Sequence, residues 1–257
     1  MTASLDTTDP VLRLRRLNLI AAAVHAAQGL LVVVLTNSLS LPVTAAFGNG
    51  PPGQPEGPLE LEVLFSYGIG ATVAVFLFLS ALFHLVVASP WGFPRYRDEL
   101  RRTQNRFRWV EYSLSASVMI VLIAGIVGIT DIVALIALAG VNASMILFGW
   151  LMETTNRPGA VASWAPFRFG CIAGIVPWVG ITIYLVGAGS DVPTFVYGIF
   201  VSLFLFFNCF AVNQWLQYRG EGRWTNYLFG ERLYLTLSLV AKSALAWQVF
   251  ANVLVPD

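Results

Sequence analysis

The stretch Leu237-Ser238-Leu239-Val240-Ala241-Lys242-Ser243-Ala244-Leu245-Ala246-Trp247 decides how this chain is read. It is apolar enough to lie inside a lipid bilayer, yet it carries Lys242, the only lysine in the sequence. The nearest basic residue on that segment is Arg232, ten positions away, or about 15 Å along a helix. That depth is beyond easy snorkelling. An ionisable group there costs at least about 2.5–3.5 kcal/mol and marks a functional site by default; the plainer alternative is a lysine facing a water-filled vestibule. Desolvation favours the neutral amine, which is the form that attacks an aldehyde. A lone buried lysine is therefore suited to forming a Schiff base.

The rest of the chain supports a membrane setting. Of 257 residues, 57% are hydrophobic and 11% charged, against about 25% charged in a soluble domain. A water-soluble globule is excluded. A net charge of +1 leaves no basic excess for nucleic acid. Runs long enough to span a bilayer, roughly 20 residues each, fall at about 17–36, 63–88, 104–129, 132–152, 167–187, 192–216 and 230–254. Between the first two, 37–60 contains Gly-Pro-Pro-Gly-Gln-Pro-Glu-Gly-Pro, which cannot be helical. Asp131 and Asp191 are expected to cap the helices that follow them. The expected fold class is an all-α membrane protein, a single seven-transmembrane-helix domain over 1–257, and with tails this short no separate soluble domain is expected. Arg13, Arg15 and Arg16 lead into the first run with no clean small-residue cleavage site at 36–41, so no signal peptide is expected. Cys171 and Cys209 lie in apolar runs and read as small buried hydrophobes.

The arginines orient the bundle. Three precede the first span, six lie in 95–108, two in 153–168 and three in 219–232, which accounts for all fourteen. The other side, with 37–62, 130–131 and 188–191, carries acids and no arginine. Basic residues stay in the cytoplasm, which places the N-terminus inside and the C-terminus outside. Seven spans satisfy that parity.

A buried cation needs a counter-charge. Glu111, in Arg108-Trp109-Val110-Glu111-Tyr112-Ser113, is the acid best placed. One turn from Arg108 it looks too shallow, a conflict removed if the third helix starts near Asp98 and runs over 98–129. Arg108 is then partly buried and takes Glu153 as its partner. An interfacial Glu111 paired with Arg108 is the alternative. Asn142, Met145, Ile146 and Gly149 share one face of the fourth span, and Leu203, Phe207, Phe210 and Gln214 one face of the sixth. Pro177-Trp178 can kink the fifth and turn an indole inward. These stripes could wall a long apolar ligand, although helix packing alone gives the same spacing. His25 and His84 are intramembrane, with Gln28 and Ser80 about one turn away. They could take up and return a proton or make an interhelical hydrogen bond. A metal site is not expected, because two histidines and two scattered cysteines have no ligand spacing.

A lone lysine in the seventh helix facing a carboxylate in the third resembles the retinal-binding rhodopsins. Three stretches narrow the resemblance to the heliorhodopsins: Arg108-Trp109-Val110-Glu111-Tyr112-Ser113, Gly140-Val141-Asn142-Ala143-Ser144-Met145-Ile146-Leu147-Phe148-Gly149-Trp150, and Ser238-Leu239-Val240-Ala241-Lys242-Ser243. Residues 170–178 and 204–208 and the inside-facing N-terminus belong to the same likeness, which covers nearly the whole chain. It implies all-trans retinal bound covalently to Lys242, with Glu111 as counterion and Ser238 hydrogen-bonding near the Schiff base. It also implies a pocket shaped by Ser115, Met119, Asn142, Met145, Ile146 and Gly149, completed by Pro177, Trp178, Phe207 and Gln214. His25 and His84, with Ser80 and Gln28, would form a cytoplasmic-side polar cluster handling the Schiff-base proton. The likeness further implies a homodimer, a loop 37–60 folded over the outside, and residence in the plasma membrane. Arg168 departs from the pattern, standing where some relatives have an aromatic.

Three functions follow: a light sensor read by an unknown signalling partner, a light-driven ion pump or channel, or a seven-span transporter using Lys242 and Glu111 for substrate. Nothing in the sequence supports an enzymatic role. Where ordinary microbial rhodopsins carry a second carboxylate one turn before the lysine, this chain has Ser238, which favours the sensor over the pump. The charge asymmetry sets a test of orientation. A tag at the N-terminus should be protected in intact cells and one at the C-terminus accessible; the reverse labelling would discard the orientation.

Overall fold

Residues 9–54 and 56–254 are described in the computed structural model of the chain. Polar side chains start the helices. Asp9 caps α1 (Pro10–Leu35) by accepting from the Val11 amide at 2.8 Å, with Pro10 in the first turn. Asn105 caps α4 (Arg106–Ile126) through the Arg108 amide, and Asp131 caps α5 (Ile132–Thr155) through the Ala134 amide. Between α1 and α4 lie α2 (Ile69–Ala88) and the short α3 (Gly92–Arg101). α6 (Ala165–Ala188), α7 (Thr194–Arg219) and α8 (Tyr227–Val249) complete the order, with a π turn, Phe250–Leu254, extending α8. Gly220 ends α7 in the left-handed region at φ 66°. Asp191, expected as a cap, instead sits in the 3₁₀ turn before Pro193, and α7 starts without a side-chain cap.

Seven of these helices, all but α3, are long and apolar enough to cross a membrane. α4 is the most buried of them, with Met119, Ile120, Leu122 and Ile123 enclosed at the centre of the main core. α1 packs on α2, α2 on α4, α4 on α5 and α5 on α6, and α8 closes the ring between α7 and α1. Gln28 and Ser243 bond across the α1–α8 seam at 2.9 Å.

Two elements depart from the hydropathy reading. The expected second span, 63–88, begins as a strand. β1 (Ser40–Ala46) and β2 (Leu61–Gly68) pair antiparallel, Ser40 opposite Gly68, with a bulge at Val43/Thr44. A short apolar run reads alike as strand or helix, and here the pairing with β1 decides. Thr44 ties the hairpin to the α4–α5 link, its amide donating to the Thr130 carbonyl and its hydroxyl meeting that of Thr130, both at 2.9 Å. Val43 enters the core, so the hairpin covers the arginine-free end.

The expected third helix over 98–129 is also broken. The chain turns at 102–105, where Thr103 has φ 57°, and α4 begins at Arg106. α3 folds back instead, burying Phe93, Tyr96 and Leu100 against Leu14 of α1 and Tyr227 of α8. Arg108 is buried in the first turn of α4 among Trp109, Glu153, Glu231 and Tyr234, not raised along a longer helix. Cys171 and Cys209, read as buried, are exposed, because α6 and α7 turn these faces out of the bundle.

α1 and α2 pack tightly at Gly29, where a Cβ would lie 2.9 Å from the Phe78 ring. Gly29→Val should destabilise the bundle by about 1–3 kcal/mol, measured by thermal unfolding in detergent. An unchanged unfolding temperature would show that this contact has room to give.

Candidate functional site

The site is built where α8, α4 and α2 meet. Lys242 and Glu111 are each 3% exposed, and Lys242 Nζ lies 2.6 Å from Glu111 Oε1. The lysine also donates to Ser238 Oγ, one helical turn back, at 2.9 Å. The Ser80 hydroxyl donates to the same carboxylate oxygen of Glu111 at 2.7 Å. Two charges leaving water need further hydrogen bonds, and these two serines supply one to each partner. The Lys242 ammonium also sits 5.2 Å from the centre of the Tyr112 ring. Tyr112 is anchored by its hydroxyl donating to the Tyr234 carbonyl at 2.9 Å.

On one side of Lys242 opens a cavity of about 200 Å³. Of the residues expected there, Ser115, Met119, Met145, Ile146, Gly149, Trp178, Phe207, Gln214, Ser238 and Lys242 line it. Asn142 and Pro177 do not. Asn142 is buried against α4, donating to Ser117 Oγ at 3.2 Å, and Pro177 is buried within α6. Trp178 stands edge-on to Phe204 and Phe207, with centroids 5.3 and 5.4 Å away, forming a stiff wall. Gly149 faces Trp109, whose ring a Cβ would approach to 2.5 Å. Gln214 bridges the wall, its amide donating to the Gly149 carbonyl at 2.9 Å. Arg168 is exposed, and its neighbours Pro166 and Phe167 form that part of the lining instead. Cys171 and Asn208, both exposed, stand at the rim.

On the other side of Glu111, a small cavity of about 40 Å³ is lined by His84, Asn18, Arg108 and Glu231 as well as Glu111 itself. The rings of His84 and His25 stack at 5.7 Å, and His84 Nδ1 meets Asn18 Oδ1 at 2.7 Å. Both nitrogens of His25 and Nε2 of His84 are buried without a protein partner among the described residues. Ser80 joins this cluster through Glu111, while Gln28 turns away to Ser243.

Beneath this lies a second buried ion cluster. Arg108 bonds Glu153 at 2.8 Å, as the sequence suggests, and it also pairs with Glu231, which sequence reasoning missed. Trp109 Nε1 and the Tyr227 hydroxyl donate to Glu153 at 2.6 and 2.9 Å, and the Asn105 amide donates to Glu231 at 2.7 Å. The guanidinium lies against the Trp109 and Tyr234 rings, 4.3 and 3.9 Å from their centres. A signal for Glu231 existed. It precedes Ser238 by seven residues and Lys242 by eleven, which puts all three on one face of α8.

The chain resembles known proteins over nearly its full length. The Heliorhodopsin family profile matches residues 14–254. Among solved structures, Exiguobacterium sibiricum rhodopsin aligns with a TM-score of 0.66 at 15% identity, covering 94% of this chain and 96% of that one. Cyanorhodopsin from the cyanobacterium Tolypothrix sp. NIES-4075 gives 0.63 at 12% identity, covering 96% and 95%. The transmembrane domain of Salpingoeca rosetta rhodopsin phosphodiesterase gives 0.62 at 13%, covering 97% and 89%. At these identities the three structures speak for the fold alone. No curated protein matches the chain.

Because Arg108 balances two buried carboxylates, Arg108→Met should destabilise the protein by about 3–5 kcal/mol, the range for breaking a buried pair. Denaturation in detergent measures it. Wild-type stability in the variant would mean that Glu153 and Glu231 do not depend on the guanidinium.

Proposed function

This chain belongs to the heliorhodopsin family, and from that premise we propose that all-trans retinal is bound covalently to Lys242 and that the protein senses light without net ion transport. At the coarser level it is a retinal-binding, light-responsive, multi-pass membrane protein. The observation that carries the finer reading is the position of Lys242 Nζ, at the wall of an apolar cavity and 2.6 Å from Glu111.

The lining fits the group. It is almost wholly apolar and aromatic, and the buried Ser115 hydroxyl, which faces it, has no protein partner among the described residues. When bound, retinal supplies a visible absorption and a light-driven change of double-bond geometry beside the Lys242 nitrogen. Trp178 and the Gly149–Trp109 contact confine the space. Glu111, held by Ser80, stabilises a positive charge on the Lys242 nitrogen. A proton leaving that nitrogen meets Glu111 first, and beyond it His84 and His25, whose free ring nitrogens can accept it.

That route favours return over crossing. Along α4 beyond Glu111 and along α8 beyond Lys242, residues 112–126 and 243–254 contain no carboxylate. His84, Arg108, Glu153 and Glu231 lie instead toward the arginine-bearing end, which we infer to be cytoplasmic from the charge asymmetry. Sensing, with an unidentified signalling partner, a homodimeric assembly and residence in the plasma membrane, completes the proposal.

Two outcomes test it. Protein expressed with all-trans retinal should be coloured and Lys242→Ala colourless, while Glu111→Gln should change the colour and lose its visible band at lower pH than the wild type. An unchanged spectrum and titration in Glu111→Gln would remove it as the counterion. Illuminating unbuffered cells that hold the coloured protein should give no protonophore-sensitive pH shift, and a sustained one would establish a pump.

A further inference from the structure

We propose that Arg15 and Arg95 each bind phosphate groups of anionic membrane lipids at the corner where α2 turns into α3. This surface is independent of the Lys242 site. α2 ends at Ala88, and Ser89, Pro90 and Trp91 carry the chain into α3, so the corner lies at the level where a bilayer's headgroups begin. Trp91 is 63% exposed there, the position an indole favours at a membrane interface.

Two arginines are held in place at this corner by uncharged partners. Arg15 donates from Nε to the Ala88 carbonyl at 2.9 Å and lies 4.7 Å over the Phe93 ring. Arg95 donates from Nη1 to the Trp91 carbonyl at 2.9 Å and lies 4.3 Å over the Trp91 ring. Fixing a guanidinium on a carbonyl and a ring lowers the ordering cost of a ligand that binds it. Their remaining N–H groups meet no protein acceptor among the described residues, and a phosphate accepts such forks well.

The acids of this end among the described residues are engaged elsewhere. Asp98 lies 3.9 Å from Arg97 and 3.7 Å from Arg101, and Glu99 pairs with Arg106. Asp9 caps α1, and Glu221 pairs with Arg219 at 2.6 Å. Glu153 and Glu231 are buried around Arg108. The first amides of α3 are also taken, since Gly92 and Phe93 donate to Ser89. No acid among the described residues completes Arg15 or Arg95, which leaves both open to an external anion. A lipid supplies it at the depth where Trp91 sits.

Native mass spectrometry of delipidated protein in detergent tests this, titrating dioleoylphosphatidylglycerol against dioleoylphosphatidylcholine. The expected result is preferential retention of phosphatidylglycerol, weakened roughly tenfold in Arg95→Gln by loss of a charge-assisted hydrogen bond, and further in the Arg15→Gln/Arg95→Gln double variant. Arg95 is exposed and, among the described residues, its side chain hydrogen-bonds to the Trp91 carbonyl alone, so the single variant keeps the test valid if the double variant unfolds; circular dichroism reports on folding. Equal retention of the two lipids, or full retention by Arg95→Gln, overturns the proposal. Displacement of the lipid by millimolar inorganic phosphate overturns the lipid as the source of the anion.

Discussion

The bond between Lys242 and Glu111 is the constraint around which the other features are arranged. Either charge alone in the bilayer core is costly, and breaking a buried pair leaves the survivor uncompensated. The pair persists because Ser238 and Ser80 supply hydrogen bonds and the Tyr112 ring faces the ammonium. Each of these comes from a helix that must hold its rotation, so the pair fixes the register of α8, α4 and α2 together. The apolar cavity then opens on one side of the lysine and the histidine pair lies on the other. Chemistry and packing are set by the same contact.

Arg108 repeats the device one turn nearer the arginine-bearing end, with two carboxylates in place of one. The cluster joins α4, α5 and α8, and Asn105 ties it to the break before α4, because one residue caps that helix and donates to both Glu153 and Glu231. The interruption between α3 and α4 is thus part of the site. Enclosing Arg108 among α4, α5 and α8 lets Glu111 sit deep although it is only three residues further on.

Much of this was legible in the sequence. Lys242 stands out because an ionisable group so deep in an apolar span is costly, and Glu111 because a buried cation needs an anion. The Arg108–Glu153 pair followed from the same reasoning. What hydropathy could not show were contacts made by backbone or by remote side chains. Val63-Leu64-Phe65 reads as the start of a span, and only pairing with Ser40–Ala46 makes it part of a strand. Glu231 was hidden by its place near a span end, where acids are common, though its spacing to Lys242 carried the information. Asn142 shows the opposite failure: it shares a helical face with cavity residues yet spends its amide on Ser117.

The most direct test of the account is to trap the linkage at Lys242. Protein loaded with all-trans retinal would be treated with borohydride, which reduces an imine to a stable secondary amine, then digested and mapped by mass spectrometry. The account requires the retinyl group on the peptide that contains Lys242, at its side-chain nitrogen. An unmodified Lys242 peptide, with the chromophore recovered as free retinol, would contradict it.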